Sequence, residues 1–327
     1  MRLEVLEAPE LIEKQLKNNR NLCRKLGQRL RDFDPAFIVT VGRGTSSHAG
    51  VFAKYLIEIE LGVQVSSSAP SISSVYNKNI NLEKAVVLFI SQSGRSPDIL
   101  DQVKMARKSG AFCIALINNE TSPVIDQVDA VIPLMAGQEK AVAATKSYLL
   151  TLTALLQLVA CWSENKKLES ALDTLPDLLL QATNSPAQLD VNHYQKMEHC
   201  VVIGRGFGFA ISLEMALKLK EVCSIHAEAF SSAEFLHGPV TLAEKKLSII
   251  DITVEDESFS AHKSQMENIK NRGANVDAID QTTKKVHPRL AALTLLQRFY
   301  LDVEKIAISR GVNPDAPPGL KKVTETI

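Results

Sequence analysis

Phe37-Ile38-Val39-Thr40-Val41-Gly42-Arg43-Gly44 is a short β-rich run that stops in a glycine turn, and Cys200-Val201-Val202-Ile203-Gly204-Arg205-Gly206 repeats the design 162 positions later. The same offset carries Val86-Val87-Leu88-Phe89-Ile90 onto Ser248-Ile249-Ile250-Asp251-Ile252. Repetition on this scale means one structural plan used twice. In the first copy, further apolar runs lie at Phe112 to Ile117 and Ala130 to Leu134, separated by helical or loop stretches such as that from about Ser47 to Leu61. Strands that are apolar throughout are buried on both faces, and their alternation with helices gives a parallel sheet covered on each side. The expected fold class is α/β, with two similar lobes, each a mostly parallel sheet flanked by helices.

Outside the repeats, Pro9 to Arg31 has a helical apolar face of Leu11, Ile12, Leu16, Leu22, Cys23, Leu26 and Leu30. Tyr148 to Trp162 is uncharged over fifteen residues. A helix needs about 20 to cross a bilayer, so this segment reads as a buried core helix. Asn165 to Tyr194 is more polar and reads as helix plus connection. The expected division is 1–180 for N-terminal helices plus first lobe, and 181–327 for second lobe plus a C-terminal tail.

Lysine plus arginine equals aspartate plus glutamate at 37 each, and 45% of the 327 residues are apolar. That balance gives no field for nucleic acid or an anionic membrane, so any anion site must be local. The five cysteines are scattered and never form a C-x-x-C pair, which argues against a disulfide framework or zinc site and for a reducing, cytoplasmic setting. The acidic start, Met1-Arg2-Leu3-Glu4-Val5-Leu6-Glu7, is not a signal peptide.

After the strand at Val86 to Ile90 comes Ser91-Gln92-Ser93-Gly94-Arg95-Ser96-Pro97-Asp98. Ser96 can cap the next helix and Pro97 can take its first position. Backbone N–H groups, the helix dipole and three hydroxyls would converge here, which holds a phosphate without much net charge. A plain Ser/Gly turn is the alternative. Ser46, after Gly44, would share the crevice at the sheet's carboxyl edge. The loop 162 positions on is Thr253-Val254-Glu255-Asp256-Glu257-Ser258, whose acids repel an anion. One phosphate site per chain is therefore expected, in the first lobe. Neither Gly42-x-Gly44 nor Gly204-x-Gly206 completes a dinucleotide fingerprint.

On the helix Ser212 to Val222, a rotation of about 100° per residue puts Glu214, Lys218 and Glu221 on one stripe. The stripe is either an exposed face with an ordinary i,i+4 ion pair or a cavity lining that supports a general base. His237 precedes a Gly-Pro turn, a position from which loops present side chains.

Together, Gly42-Arg43-Gly44-Thr45-Ser46, Ser91-Gln92-Ser93-Gly94, Ala141-Val142-Ala143-Ala144-Thr145-Lys146, Glu214 to Glu221, Glu234-Phe235-Leu236-His237-Gly238-Pro239 and Leu320-Lys321-Lys322-Val323-Thr324 form six ordered blocks. The sequence carrying them resembles the sugar isomerase (SIS) family over nearly the whole chain. The similarity is strongest to the isomerase part of glutamine:fructose-6-phosphate amidotransferase and to its free-standing deaminase relatives. The resemblance implies a double-SIS, flavodoxin-like fold. It makes Ser46, Ser91, Gln92, Ser93 and Ser96 the phosphate and sugar-hydroxyl contacts, with Val142 along the sugar. It makes Glu221 the base that shuttles a proton between C1 and C2, Lys218 and Glu214 its polar support, and Lys322 the lysine of a tail that closes over substrate. His237 matches a ring-opening histidine supplied by the partner subunit, so a homodimer with shared active sites is implied. The chain departs from the amidotransferase at Ala144, Ala233 and Leu236, and by one residue in the tail.

The implied activity is that of a glucosamine-6-phosphate deaminase that yields fructose 6-phosphate and ammonia, with no metal or redox cofactor. Met1-Arg2-Leu3 reads as leading almost directly into the first lobe, so the expectation is a chain without a glutaminase domain as an ammonia source, acting in the deaminating direction. Two alternatives keep the mechanism: a galactosamine-6-phosphate deaminase and a deglycase of fructosyl-amine 6-phosphates. A third, of another class, is a non-catalytic sugar-phosphate sensor, which would have no need of Glu221, Lys218 and His237 together. The expected partner is a small sugar phosphate, with neither nucleic acid nor membrane.

Overall fold

The computed structural model describes residues 1–283 and 286–322. The chain divides into two compact units, one of Glu10–Glu139 and Lys146–Asp173, the other of Met1–Pro9, Lys140–Thr145 and Thr174–Lys322. Val323 and Thr324 of the last sequence block lie outside the described residues.

After the helix α1 (Arg2–Phe33), the first unit runs β1 (Phe37–Val41), α2 (Thr45–Leu61), β2 (Val65–Ser67), α3 (Ser71–Ser74) and β3 (Ala85–Ser91). It continues through α4 (Pro97–Lys108), β4 (Phe112–Ile117), β5 (Ala130–Pro133), α5 (Lys146–Trp162) and α6 (Lys166–Leu172). The five strands form one sheet in the order β2-β1-β3-β4-β5, every pair parallel. All seven residues of β3 are buried, as its apolar sequence requires. Every residue of α5 is buried too, so the uncharged run at Tyr148 to Trp162 is a core helix. No helix among the described residues is long and apolar enough to cross a membrane.

The second unit holds α7 (Leu175–Asn184), α8 (Val191–Tyr194), β6 (His199–Gly204), α9 (Phe207–Cys223), β7 (His226–Ser231), α10 (Ser232–Phe235), β8 (Ser248–Ile252), α11 (Phe259–Asn271), β9 (Asn275–Ile279) and α12 (Pro288–Ser309). Its sheet is β7-β6-β8-β9, again parallel throughout. This is the first sheet's order without the fifth strand, and α9 lies 162 residues after α2 at both ends. Gly44 and Gly206 have φ of 52° and 55°, a region costly to a residue with a Cβ, so each turn needs its glycine to launch the helix.

Three strands lie outside the apolar runs of the sequence. β2 has three residues, while β7 and β9 carry exposed positions such as His226, Glu228 and Asn275. All three are edge strands, so no second neighbour demands an apolar run. The first helix also departs from expectation, since it starts at Arg2 rather than Pro9 and holds Pro9 inside it. Proline cannot donate to the carbonyl four residues back. Gln297 Nε2 donates to Val5 O at 2.9 Å and satisfies that carbonyl instead.

All five cysteines are free and buried. Burial pushes the Cys113, Cys200 and Cys223 thiols up to about 12, which keeps them protonated and unreactive at neutral pH.

Candidate functional site

In the first sheet Val41 pairs with Phe89, so the Gly42 turn and the loop from Ser91 leave at one carboxyl edge. The strand order reverses between β1 and β3, and such a switch point opens a crevice in α/β sheets. Ser46 lies in the first turn of α2, Ser91 ends β3, and Gln92, Ser93 and Ser96 lie in the loop before α4, so the five residues flank that point.

The loop is fixed from within. Gly94 N–H donates to Ser91 Oγ at 3.0 Å, and Ser122 Oγ donates to Gly94 O at 2.9 Å. Gly94 has φ of 58°, and a Cβ there would stand 2.1 Å from Ser122 Oγ. Asn119 N–H donates to Gln92 O at 3.1 Å. Two expectations change in detail. The N–H groups of Gly94 and Arg95 turn to the hydroxyl oxygens of Ser91 and Ser93, at 3.0 and 3.4 Å, and not towards a common point. Ser96 occupies the N-cap position of α4 without a side-chain cap bond. Those two N–H groups are thus engaged within the loop, while the serine hydroxyls keep protons that can be donated to an anion.

Two residues without a role in the sequence reading brace the loop. Asp98 is buried and accepts from Arg43 Nε at 2.8 Å, which ties the Gly42-Arg43-Gly44 turn to the start of α4. Glu139, also buried, accepts from Gln92 Nε2 at 3.1 Å and Ser147 Oγ at 2.7 Å. Asp98 stands within the quoted loop and offered a local signal. Glu139 lies 47 residues from Gln92 and offered none.

In the second unit, Glu214 and Lys218 of the stripe on α9 are fully buried, which removes the reading of an ordinary exposed pair. Lys218 Nζ lies 3.2 Å from Glu214 Oε1 and 2.5 Å from Glu221 Oε2. The side chains of Glu214 and Lys218 are 0% exposed, whereas that of Glu221 is 23% exposed. Burial works against the lysine's charge, but the two carboxylates outweigh it and hold the Lys218 pKa above its ordinary value. Tyr300 on α12 places its hydroxyl 3.5 Å from Glu214 Oε1, the oxygen that also faces Lys218. With all three ionised the trio carries a net charge of −1, and Glu221 is its accessible member.

Val142 lies in the Lys140–Thr145 segment, where Val142 N–H donates to Asp315 O at 3.0 Å. Beside it, Ala141 N–H donates to Glu4 Oε1 at 3.1 Å and Ala141 O accepts from Lys322 Nζ at 2.6 Å. The structure thus brings Val142 and Lys322 together. His237 follows α10, exposed, between Phe235 and the 3₁₀ turn Pro239–Lys245. Gly238 has φ of 144° and turns the chain sharply behind it.

In the acidic loop of the second lobe, Glu257 has a cationic partner. Arg289 of α12 makes a paired contact with Glu257 at 2.7 and 2.8 Å and lies over the Phe207 ring. These bonds pull the Glu257 carboxyl down to about 2.

The family model for the SIS domain matches residues 34–161 and 193–301. Glutamine–fructose-6-phosphate aminotransferase (isomerizing) of Sulfurisphaera tokodaii is 29% identical over 333 residues, covering 98% of this chain and 55% of that protein. The chain thus spans about half the length of the curated relatives it matches. A crystal structure from Silicibacter pomeroyi DSS-3, provisionally named a phosphosugar isomerase, is 35% identical with a TM-score of 0.88, covering 96% of this chain and 99% of that one. Glucosamine-6-phosphate deaminase of Thermotoga maritima, at 20% identity and a TM-score of 0.74 over 96% of this chain and 99% of that one, shares the fold. With both copies of the 162-residue repeat matched in order, the chain belongs to the SIS domain family.

Proposed function

We propose that the chain is an aldose–ketose isomerase of an amino sugar phosphate, and that it acts as a deaminase of glucosamine 6-phosphate. The observation that carries this reading is the trio on α9, in which a buried lysine locks one carboxylate inside and leaves Glu221 accessible. In this scheme His237 opens the sugar ring. Glu221 takes the C2 proton and returns it at C1 while a second proton passes from the amino nitrogen to O1, so the double bond moves from C1–O to C2–N. Water adds to the C2 imine, ammonia leaves, and fructose 6-phosphate remains. Lys218 keeps the charge of Glu221 compensated through the transfer, and the serines from Ser91 to Ser96 hold the phosphate.

The protein is further proposed to work as a homodimer, with His237 acting on the partner's substrate. The exposure of His237 at a sharp turn supports this. The test is ammonia release measured over glucosamine 6-phosphate, galactosamine 6-phosphate and fructosyl-amine 6-phosphates. Release from glucosamine 6-phosphate with formation of fructose 6-phosphate supports the proposal. Sugar-phosphate binding without turnover of any of the three would replace the enzyme by a sensor.

A further inference from the structure

Glu139 is 5% exposed, and three donors converge on its carboxylate. Ser147 N–H, at 3.2 Å, belongs to the first turn of α5, where N–H groups lack helical partners and the dipole favours an anion. Ser147 Oγ lies at 2.7 Å and Gln92 Nε2 at 3.1 Å. Gln92 stands between two of the serines read as phosphate ligands. A carboxylate in this setting accepts, so the NH₂ end of the Gln92 amide must face it. The amide oxygen is left with no donor among the described residues. An oxygen acceptor does not bind a phosphate oxygen; it binds a hydroxyl or an ammonium group.

We propose that Glu139 is a positioning residue which sets the direction of the Gln92 amide, turning its nitrogen inward and making the Gln92 carbonyl oxygen the acceptor for a sugar hydroxyl or ammonium group. This rests on the reading that the Ser91–Ser96 loop takes a sugar phosphate. The affinities of fructose 6-phosphate and of inorganic phosphate are measured by calorimetry on the unaltered chain, Glu139→Gln, Gln92→Ala and the double variant, with thermal unfolding alongside.

A glutamine at 139 donates as readily as it accepts, so it no longer dictates the amide's direction. Glu139→Gln should weaken fructose 6-phosphate by about 3- to 10-fold, the worth of one hydrogen bond, and leave inorganic phosphate unchanged. The double variant should bind no more weakly than Gln92→Ala alone. Additive losses, or an equal loss for inorganic phosphate, overturn the proposal, because a carboxylate that merely supports the fold would weaken both ligands. If Glu139→Gln fails to fold, Glu139→Asp takes its place in the cycle, since it keeps the charge beside Ser147 and falls one methylene short of Gln92. An unaltered chain that binds neither ligand removes the sugar-phosphate reading and the proposal with it. Binding by the unaltered chain with additive losses removes the role of Glu139 alone.

Discussion

Arg43 Nε lies 2.8 Å from the buried carboxylate of Asp98, and this ion pair joins the glycine turn after β1 to the first turn of α4 across the switch point of the first sheet. At the matching turn of the second copy, Arg205 bonds the neutral Gln265 instead. Arg43 is half-exposed, so solvent moderates its loss, but Asp98 would keep a buried charge without its guanidinium. Arg43→Ala should therefore destabilise the chain by about 1–3 kcal/mol in urea titration and weaken sugar-phosphate binding. Unchanged stability would show that the pair is incidental.

Gly94→Ala places a methyl 2.1 Å from Ser122 Oγ at a φ of 58°. Both strain terms act in the loop itself, at an expected cost of about 1–3 kcal/mol. Calorimetry with fructose 6-phosphate should show a larger loss of affinity than Gly62→Ala, at φ of 69° with open space around it.

Glu221→Gln should lower kcat by about 10²- to 10⁴-fold, as loss of a general base does, with little change in ligand affinity. Exchange of the C2 proton with solvent deuterium is the direct readout, and exchange at the unaltered rate would pass the role to Glu214 or His237. Lys218→Met should instead cost stability, about 3–5 kcal/mol, because it leaves the fully buried Glu214 without its cation.

Mixing His237→Ala with Glu221→Gln tests the shared site. In an exchanged equimolar mixture, hybrid dimers restore roughly a quarter of the sites if the two residues come from opposite chains. No recovery, with exchange demonstrated, places both residues in one chain.

The Arg289 contact holds the Glu257 pKa at about 2, below its ordinary 4.5. A depressed carboxyl stabilises the fold above its unfolded pKa, and that contribution fades as the pH falls from about 4.5 towards about 2. Chemical denaturation of Glu257→Gln across that window should show a flatter acid limb than the unaltered chain. The side chain of Glu257 is 71% exposed, so the difference should shrink in high salt.

The sequence alone determined the doubled plan, because apolar runs and glycine turns are local and the 162-residue offset can be read without knowing any contact. It also located the serine loop, the stripe of Glu214, Lys218 and Glu221, and the turn that presents His237. What covers a face is not written in its periodicity. The stripe on α9 fitted an exposed pair as well as a buried trio until Lys218 and Glu214 proved fully enclosed, with Tyr300 reaching Glu214 from 86 residues away. Pro9 looked like a helix start because its missing donor is local, whereas Gln297, which satisfies the orphaned Val5 carbonyl, lies 292 residues from it. Glu139 was silent for the same reason. The direction of the Gln92 amide depends on which group faces it, and only the folded chain brings that carboxylate within 3.1 Å.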